Sequence, residues 1–119
     1  MANCHQILRV ALAAFVIGVS FSGGSALAAS AENGKAAFLK YGCWQCHGTM
    51  GQGSPVSGPK LAPDPLPYEA MSTFIRNSNR QMPPYREAVL PNQDLEDIYA
   101  YLSSIPKPAD YKTIPLLSQ

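Results

Sequence analysis

Five consecutive residues of this chain, Cys43-Trp44-Gln45-Cys46-His47, bring two thiols and an imidazole close together. A Cys-x-x-Cys-His run is typical of covalent attachment of a c-type haem. Each thiol adds across one haem vinyl group, and two intervening residues let both sulfurs reach the two vinyl groups from one turn of chain. The next residue, His47, supplies an imidazole nitrogen to the iron. The motif therefore predicts one haem c, held through two thioethers.

Zinc, dithiol and disulfide chemistry are the alternatives for such a motif. A closed zinc site needs about four protein ligands, whereas two cysteines and one histidine are all that the chain offers after residue 28. A thioredoxin-like dithiol belongs in a βαβ setting, and no alternating strand pattern is visible. A structural disulfide between Cys43 and Cys46 stays open, although it leaves the adjacent His47 unexplained.

A haem iron with His47 on one side needs a second axial donor. No other histidine follows residue 28, so ligation by two histidines of the mature chain is excluded. Methionine thioether is a soft ligand that raises the reduction potential in cytochromes c. Met50 is too close to His47 to cross the ring, and Met71 is expected mid-helix as a core residue. We therefore predict Met82, on a proline-stiffened loop, as the ligand; the alternative is a buried methionine that touches no iron.

The first 28 residues have the features of a secretory signal peptide. Arg9 and the amino terminus are positive, a mostly apolar run follows, and Ala26-Leu27-Ala28 fits the small-x-small pattern for cleavage. The apolar run is shorter than the about 20 residues of a membrane span. We predict cleavage after Ala28, with Ala29 as the alternative, and a periplasmic protein without a membrane span. An uncleaved membrane anchor is the competing interpretation.

Cleavage at that point leaves about 91 residues with eight basic and eight acidic side chains. The net charge is then zero, and no basic stripe predicts nucleic-acid binding. A chain of this length forms one domain with a modest core, and such domains often depend on a cofactor. The composition thus excludes a nucleic-acid partner and is compatible with a haem at the centre of the fold.

The elements that must position the motif are helices and loops. Helical spacing predicts three helices, at about Ala31–Lys40, Tyr68–Asn77 and Gln93–Ser103, with Ser30 as the first N-cap. The inward side of the second helix is expected to consist of Met71, Phe74 and Ile75. Glycines and prolines exclude regular structure over residues 48–67. The predicted fold class is all-α, with long loops.

Two groups of charged residues allow more than one interpretation. The basic side chains flanking the motif could form a rim that steers an acidic partner, pair with a haem propionate, or be ordinary solvated charges; they are Lys60, Arg76, Arg80 and Arg86. Three acidic residues are expected only to complement the dipole at the start of the third helix; they are Asp94, Glu96 and Asp97.

From about Ala31 to Ile105 the chain resembles the class I c-type cytochromes, in their short bacterial soluble form with one haem. The attachment motif carries most of this resemblance. Gly34-x-x-x-Phe38 is similar to the family's first helix, whose glycine permits close approach of the last helix. The partner face on the last helix is expected to comprise Ile98, Tyr101 and Leu102. The resemblance implies a cytochrome c-like fold, with helices wrapped around the haem.

Two further segments support this resemblance. Gly58-Pro59-Lys60-Leu61 is similar to a family segment whose proline carbonyl accepts the second N–H of the haem-binding histidine. The resemblance implies that Pro59 orients His47 in this way and that Leu61 packs on the haem. Met82-Pro83-Pro84 is similar to the family's methionine loop.

The predicted organisation is a signal peptide at 1–28, a cytochrome c domain at 29–105 and a proline-rich tail at 106–119. With both axial positions filled by protein atoms, the chain is expected to carry single electrons and not to be an enzyme. It would act as a monomer or within a complex. One alternative is a subunit or dedicated acceptor of a periplasmic dehydrogenase or oxidase. A second alternative is a haem enzyme or ligand sensor with an open iron site.

Overall fold

A computed structural model describes residues 28–117 of the chain. This part contains four α-helices: α1 is Ala31–Lys40, α2 is Trp44–His47, α3 is Tyr68–Asn77 and α4 is Asn92–Ser104. A 3₁₀ turn, Tyr111–Thr113, lies in the tail. The described residues contain no strand beyond an isolated bridge between Ser54 and Gly58. The predicted signal peptide, apart from Ala28, lies outside the described residues.

The chain-terminal helices of the domain, α1 and α4, pack closely against each other. Gly34 makes this approach possible, because a Cβ at that position would overlap the backbone carbonyl of Asp97. Next to this crossing, the rings of Phe38 and Tyr101 lie 5.7 Å apart at 57°, a tilted arrangement favourable for aromatic pairs. Phe38, Leu95 and Leu102 are almost fully buried. The core of the described domain is therefore centred on this helix pair.

Asp97 contributes more than the helix-dipole role predicted for it. Its side chain is buried, and Oδ1 accepts hydrogen bonds from the backbone N–H of Ser30 (2.7 Å) and from Nε2 of Gln93 (3.2 Å). Ser30 in turn caps α1, since its Oγ accepts from the N–H of Asn33. Asp97 thus ties the start of α1 to α4, and its assignment to the dipole alone was wrong.

The segment between α2 and α3 is irregular, as its glycines and prolines predict. Its turns are closed by backbone hydrogen bonds: the N–H of Gly53 donates to the carbonyl of His47 at 2.8 Å, and that of Leu61 donates to Gly51 at 2.8 Å. Buried Ala62 belongs to the core. This segment therefore folds back onto α2 instead of extending away from it.

Helix bounds agree with the sequence prediction for α1 and α3, and α4 is one residue longer at each end than predicted. The single turn α2 was not predicted, and neither was the 3₁₀ turn in the tail. The tail is joined to the segment between α2 and α3 by an ion pair of 3.2 Å between Lys107 and Asp64, both well exposed.

Within residues 28–117, no helix is long and apolar enough to cross a membrane.

Candidate functional site

An open, largely apolar cavity of about 870 Å³ lies beside the α1–α4 pair. Its walls come from α1, α2, α3, α4 and the loops between them. All six residues predicted to bind the cofactor line this cavity; they are Cys43, Cys46, His47, Pro59, Leu61 and Met82. The fold therefore brings together residues that span 40 positions of the sequence.

Helix α2 places the two thiols and the imidazole. Gly42, with φ of 76°, ends the turn after α1, and the N–H of His47 donates to the carbonyl of Cys43 at 3.0 Å. Cys43 is half-buried, Cys46 is exposed, and both thiols are free. Burial raises the pKa of the Cys43 thiol to about 11. Cys43 is therefore a neutral thiol at neutral pH, on an apolar wall.

The imidazole of His47 is buried and has a defined orientation. Its Nδ1 lies 2.8 Å from the backbone oxygen of Pro59, and a carbonyl can only accept, so Nδ1–H is the donor. This is the hydrogen bond that the family resemblance implied. With Nδ1 as the donor, Nε2 is the ring nitrogen that can bind a metal, and the hydrogen bond makes the ring a stronger ligand.

The loop of residues 54–60 is fitted against α2. Oγ of Ser57 donates to the carbonyl of Cys46 at 2.8 Å. A Cβ added at Gly58 would lie 2.9 Å from the oxygen of Cys46 and 3.1 Å from Nδ1 of His47, which is too close for an unstrained contact. Glycine at this position therefore allows the Pro59 carbonyl to reach His47.

Two of the three described methionines line the cavity. Met71 is buried in the core on α3, as the sequence predicted, although it also borders the cavity. Met50 is 54 % exposed and is not among the lining residues. Met82 is half-buried on the loop after α3, and its carbonyl accepts a hydrogen bond of 2.7 Å from Oγ of Ser78.

The four flanking basic residues separate into two kinds. Lys60 and Arg80 line the cavity and are exposed, whereas Arg86 is exposed elsewhere on the loop. Arg76 donates to the carbonyls of Tyr85 and Leu90 and to the side chain of Asn92. The interpretation of Arg76 as part of a basic rim or as an ordinary solvated charge was therefore wrong, because its guanidinium is hydrogen-bonded to backbone carbonyls within the domain.

Several cavity residues were not assigned to the site by the sequence. Phe74 was expected in the protein core but is 53 % exposed and borders the cavity. Tyr85 also lines it, with its hydroxyl donating to the carbonyl of Tyr41 at 3.0 Å; burial raises the pKa of Tyr85. Phe38, Ile98 and Leu102, which the sequence predicted to lie between the first and last helices, also line the cavity. No pattern marked Tyr85.

The donor set fits a haem and fits other metal centres poorly. Within residues 28–117 no three His, Cys, Asp or Glu side chains cluster as metal ligands, so a closed zinc site of the usual kind is not formed. Two free thiols, an imidazole with an available Nε2 and a thioether border one apolar cavity. Histidine and methionine are the axial ligands found in cytochromes c.

A family model described as "Cytochrome C oxidase, cbb3-type, subunit III" matches residues 29–102, more than half of the chain. The chain belongs to this family of c-type cytochrome domains. The match confirms the predicted resemblance to class I c-type cytochromes and the all-α fold class. A comparison with curated proteins gives no match. The matched residues of this cytochrome domain run from before α1 into α4, and they include every predicted cofactor-binding residue.

Proposed function

We propose that this cytochrome domain is an exported carrier of single electrons with one covalently attached haem c and with His47 and Met82 as its axial ligands. One observation carries the proposal: the Cys-x-x-Cys-His turn and Met82 border the same apolar cavity, and the bond to Pro59 leaves Nε2 of His47 available. The family match supports the class of cofactor.

Each residue has a defined part in this proposal. Cys43 and Cys46 would hold the haem through thioethers, and Nε2 of His47 and the sulfur of Met82 would bind its iron. When bound, the haem supplies an iron that changes between ferric and ferrous states by one electron. Apolar lining residues such as Leu61 and Phe74 would pack on the haem, and burial of the ring, together with the axial ligands, sets the potential.

The same proposal places the mature protein in the periplasm. It is supported by the sequence of residues 1–28, with its positive start, apolar run and Ala26-Leu27-Ala28 cleavage pattern. Residues 29–105 then form the working domain, and residues 106–119 form the tail. The two basic side chains at the cavity, Lys60 and Arg80, are available to an acidic partner or to the haem propionates.

A second candidate is a cytochrome subunit, or the dedicated electron acceptor, of a periplasmic dehydrogenase or oxidase. The description of the family, which names an oxidase subunit, favours it. The exposed apolar side chains of the tail offer surface to such a complex; they are Tyr111, Ile114, Leu116 and Leu117. Size-exclusion chromatography of periplasmic extract separates the candidates, since a stable subunit co-elutes with its complex and a free carrier elutes at its own size.

The experiment that tests the proposal is expression of the full chain in a host that matures c-type haem, followed by denaturing mass spectrometry of the periplasmic fraction. We expect the mass of residues 29–119 plus one haem, and a redox titration with a slope for one electron. A chain with the mass of residues 1–119, or one without bound haem, would reject the proposal. Rapid binding of carbon monoxide or cyanide would instead indicate an enzyme or sensor with an open iron site.

A further inference from the structure

Met82 lies on a loop of residues 78–86, called the methionine loop below. It contains no helix or strand, so its own backbone hydrogen bonds do not hold it in place. A ligand on such a loop would leave the iron readily unless other groups restrain the loop. Two side chains provide that restraint: Arg76, which precedes the loop, and Ser78, at its start.

The first restraint is Arg76, in the last turn of α3. Its Nη1 donates to the backbone carbonyls of Tyr85 (2.7 Å) and Leu90 (2.6 Å), and its Nη2 donates to Oδ1 of Asn92 (2.7 Å). The N–H of Tyr85 also donates to the carbonyl of Ile75 at 2.9 Å. The backbone N–H and carbonyl of Tyr85 are therefore fixed to residues 75 and 76, in the last turn of α3.

The second restraint is Ser78, a buried residue whose hydroxyl donates to the carbonyl of Met82 at 2.7 Å. This bond fixes the backbone of the methionine itself. Together the two restraints close the chain from residue 76 to residue 85 into a short loop with Met82 inside it, which reduces the conformational freedom that the thioether must lose when it binds.

We propose that Arg76 and Ser78 are positioning residues that keep the thioether of Met82 on the iron. This rests on the proposed function, in which Met82 is an axial ligand. Arg76 does not line the cavity, so it acts through the loop and not through contact with the haem. Its guanidinium carries a full positive charge, so its hydrogen bonds are stronger than those of a neutral donor.

The test measures how readily imidazole displaces Met82 from the ferric holoprotein. In wild type, a methionine-to-iron charge-transfer band should be present and should disappear as imidazole binds. Arg76→Gln and Ser78→Ala should each increase the affinity for imidazole by roughly tenfold, because the loss of a hydrogen bond to a charged or buried group changes an equilibrium constant by about that factor. Arg76→Lys should show a smaller increase, since one ammonium can replace Nη1 but not Nη2 as well.

Arg86→Gln is the matched control for Arg76→Gln, because it also removes one positive charge, here from the methionine loop itself. Arg86 is exposed, and its side chain makes no hydrogen bond among residues 28–117. The affinity of the Arg86→Gln protein for imidazole should equal that of wild type. The free energy of unfolding is measured for every variant, so that a general loss of stability is distinguished from release of the thioether.

Unchanged imidazole affinity in Arg76→Gln and Ser78→Ala would overturn the proposal, even if both variants were less stable to denaturant. An increase in one variant only would assign the positioning role to that residue and overturn it for the other. If Arg76→Gln does not mature, Arg76→Lys and Ser78→Ala decide in its place. A wild-type protein without the charge-transfer band would reject Met82 as a ligand, and with it the proposed function, by a separate observation.

Discussion

The two sides of this cytochrome domain differ in how completely the polypeptide buries its own apolar side chains. On the α1–α4 side, away from the cavity, Leu95 is 0 % exposed and Ala37 is 7 % exposed, and Gly34 lets the helix backbones meet. On the cavity side, Val56 is 93 % exposed and Phe74 is 53 % exposed. Exposed apolar side chains that border one cavity form a surface suited to binding another group. The first side is completed by protein contacts, and we expect the second to be completed by the haem.

The largest expected effect comes from removing both thiols, in Cys43→Ala combined with Cys46→Ala. No haem should remain covalently bound, and the cavity side should then lack the group that completes it. We expect the chain to be largely unfolded by circular dichroism. Gln45→Ala, an exposed change between the two cysteines, should retain both haem and helicity. Native-like helicity in the double variant without haem would show that the polypeptide alone completes both sides.

On the α1–α4 side, Gly34→Ala should be the most damaging small substitution. The added Cβ would overlap the carbonyl of Asp97 and force the helices apart, at a cost of about 3 kcal/mol in the free energy of unfolding. Chemical denaturation of the holoprotein measures this. Ala36→Gly on the exposed face of α1 should cost only about 1 kcal/mol. Equal costs would mean that the close approach of α1 and α4 does not stabilise the domain.

On the cavity side, Gly58→Ala should affect the iron more than the fold. Its Cβ would press on Nδ1 of His47, weaken the hydrogen bond to Pro59 and make the imidazole a poorer donor, which disfavours ferric iron. A rise in reduction potential on the order of 60 mV is expected, equivalent to a tenfold change for one electron. Met50→Ala is the control and should leave the potential unchanged, because Met50 is exposed in the same irregular segment and does not line the cavity. An unchanged potential in both variants would exclude this role for Gly58.

The smallest effect is expected where the two sides are joined. Tyr85→Phe removes the hydrogen bond from the methionine loop to the carbonyl of Tyr41 at the end of α1. A loss of about 1 kcal/mol in the free energy of unfolding is expected. Tyr111→Phe, an exposed change in the tail, should cost less than about 0.5 kcal/mol. If the two variants are indistinguishable, the bond between Tyr85 and Tyr41 does not stabilise the junction.

Local signals predicted the helices well. A capping serine at position 30 and Gly42 delimit α1, and Pro67 precedes α3, so their bounds follow from neighbouring residues. The turn α2 has four residues, which is too short for helical periodicity to reveal. Its position was nevertheless implied by the spacing of Cys43, Cys46 and His47.

Long-range contacts explain what the sequence could not predict. Asp97 was assigned to the helix dipole because its bond to Ser30 joins residues 67 positions apart. Arg76 was grouped with surface charges because its acceptors are backbone carbonyls. Every residue has such a group, so the sequence does not show which carbonyls will accept. Phe74 has helical spacing typical of a core, and only the fold shows that it borders the cavity. The cofactor-binding residues could be predicted from the attachment motif and from the family resemblance. Hydrophobic patterning alone would not have identified them.

The central claim, that one haem is held between His47 and Met82, is tested most directly by near-infrared magnetic circular dichroism of the ferric holoprotein, with Met82→Ala and Met50→Ala measured alongside. The account predicts a methionine-to-iron charge-transfer band in wild type and in Met50→Ala, and its loss in Met82→Ala together with binding of external ligands and a lower potential. A band that persists in Met82→Ala, or a high-spin or bis-nitrogen spectrum in wild type, would contradict it.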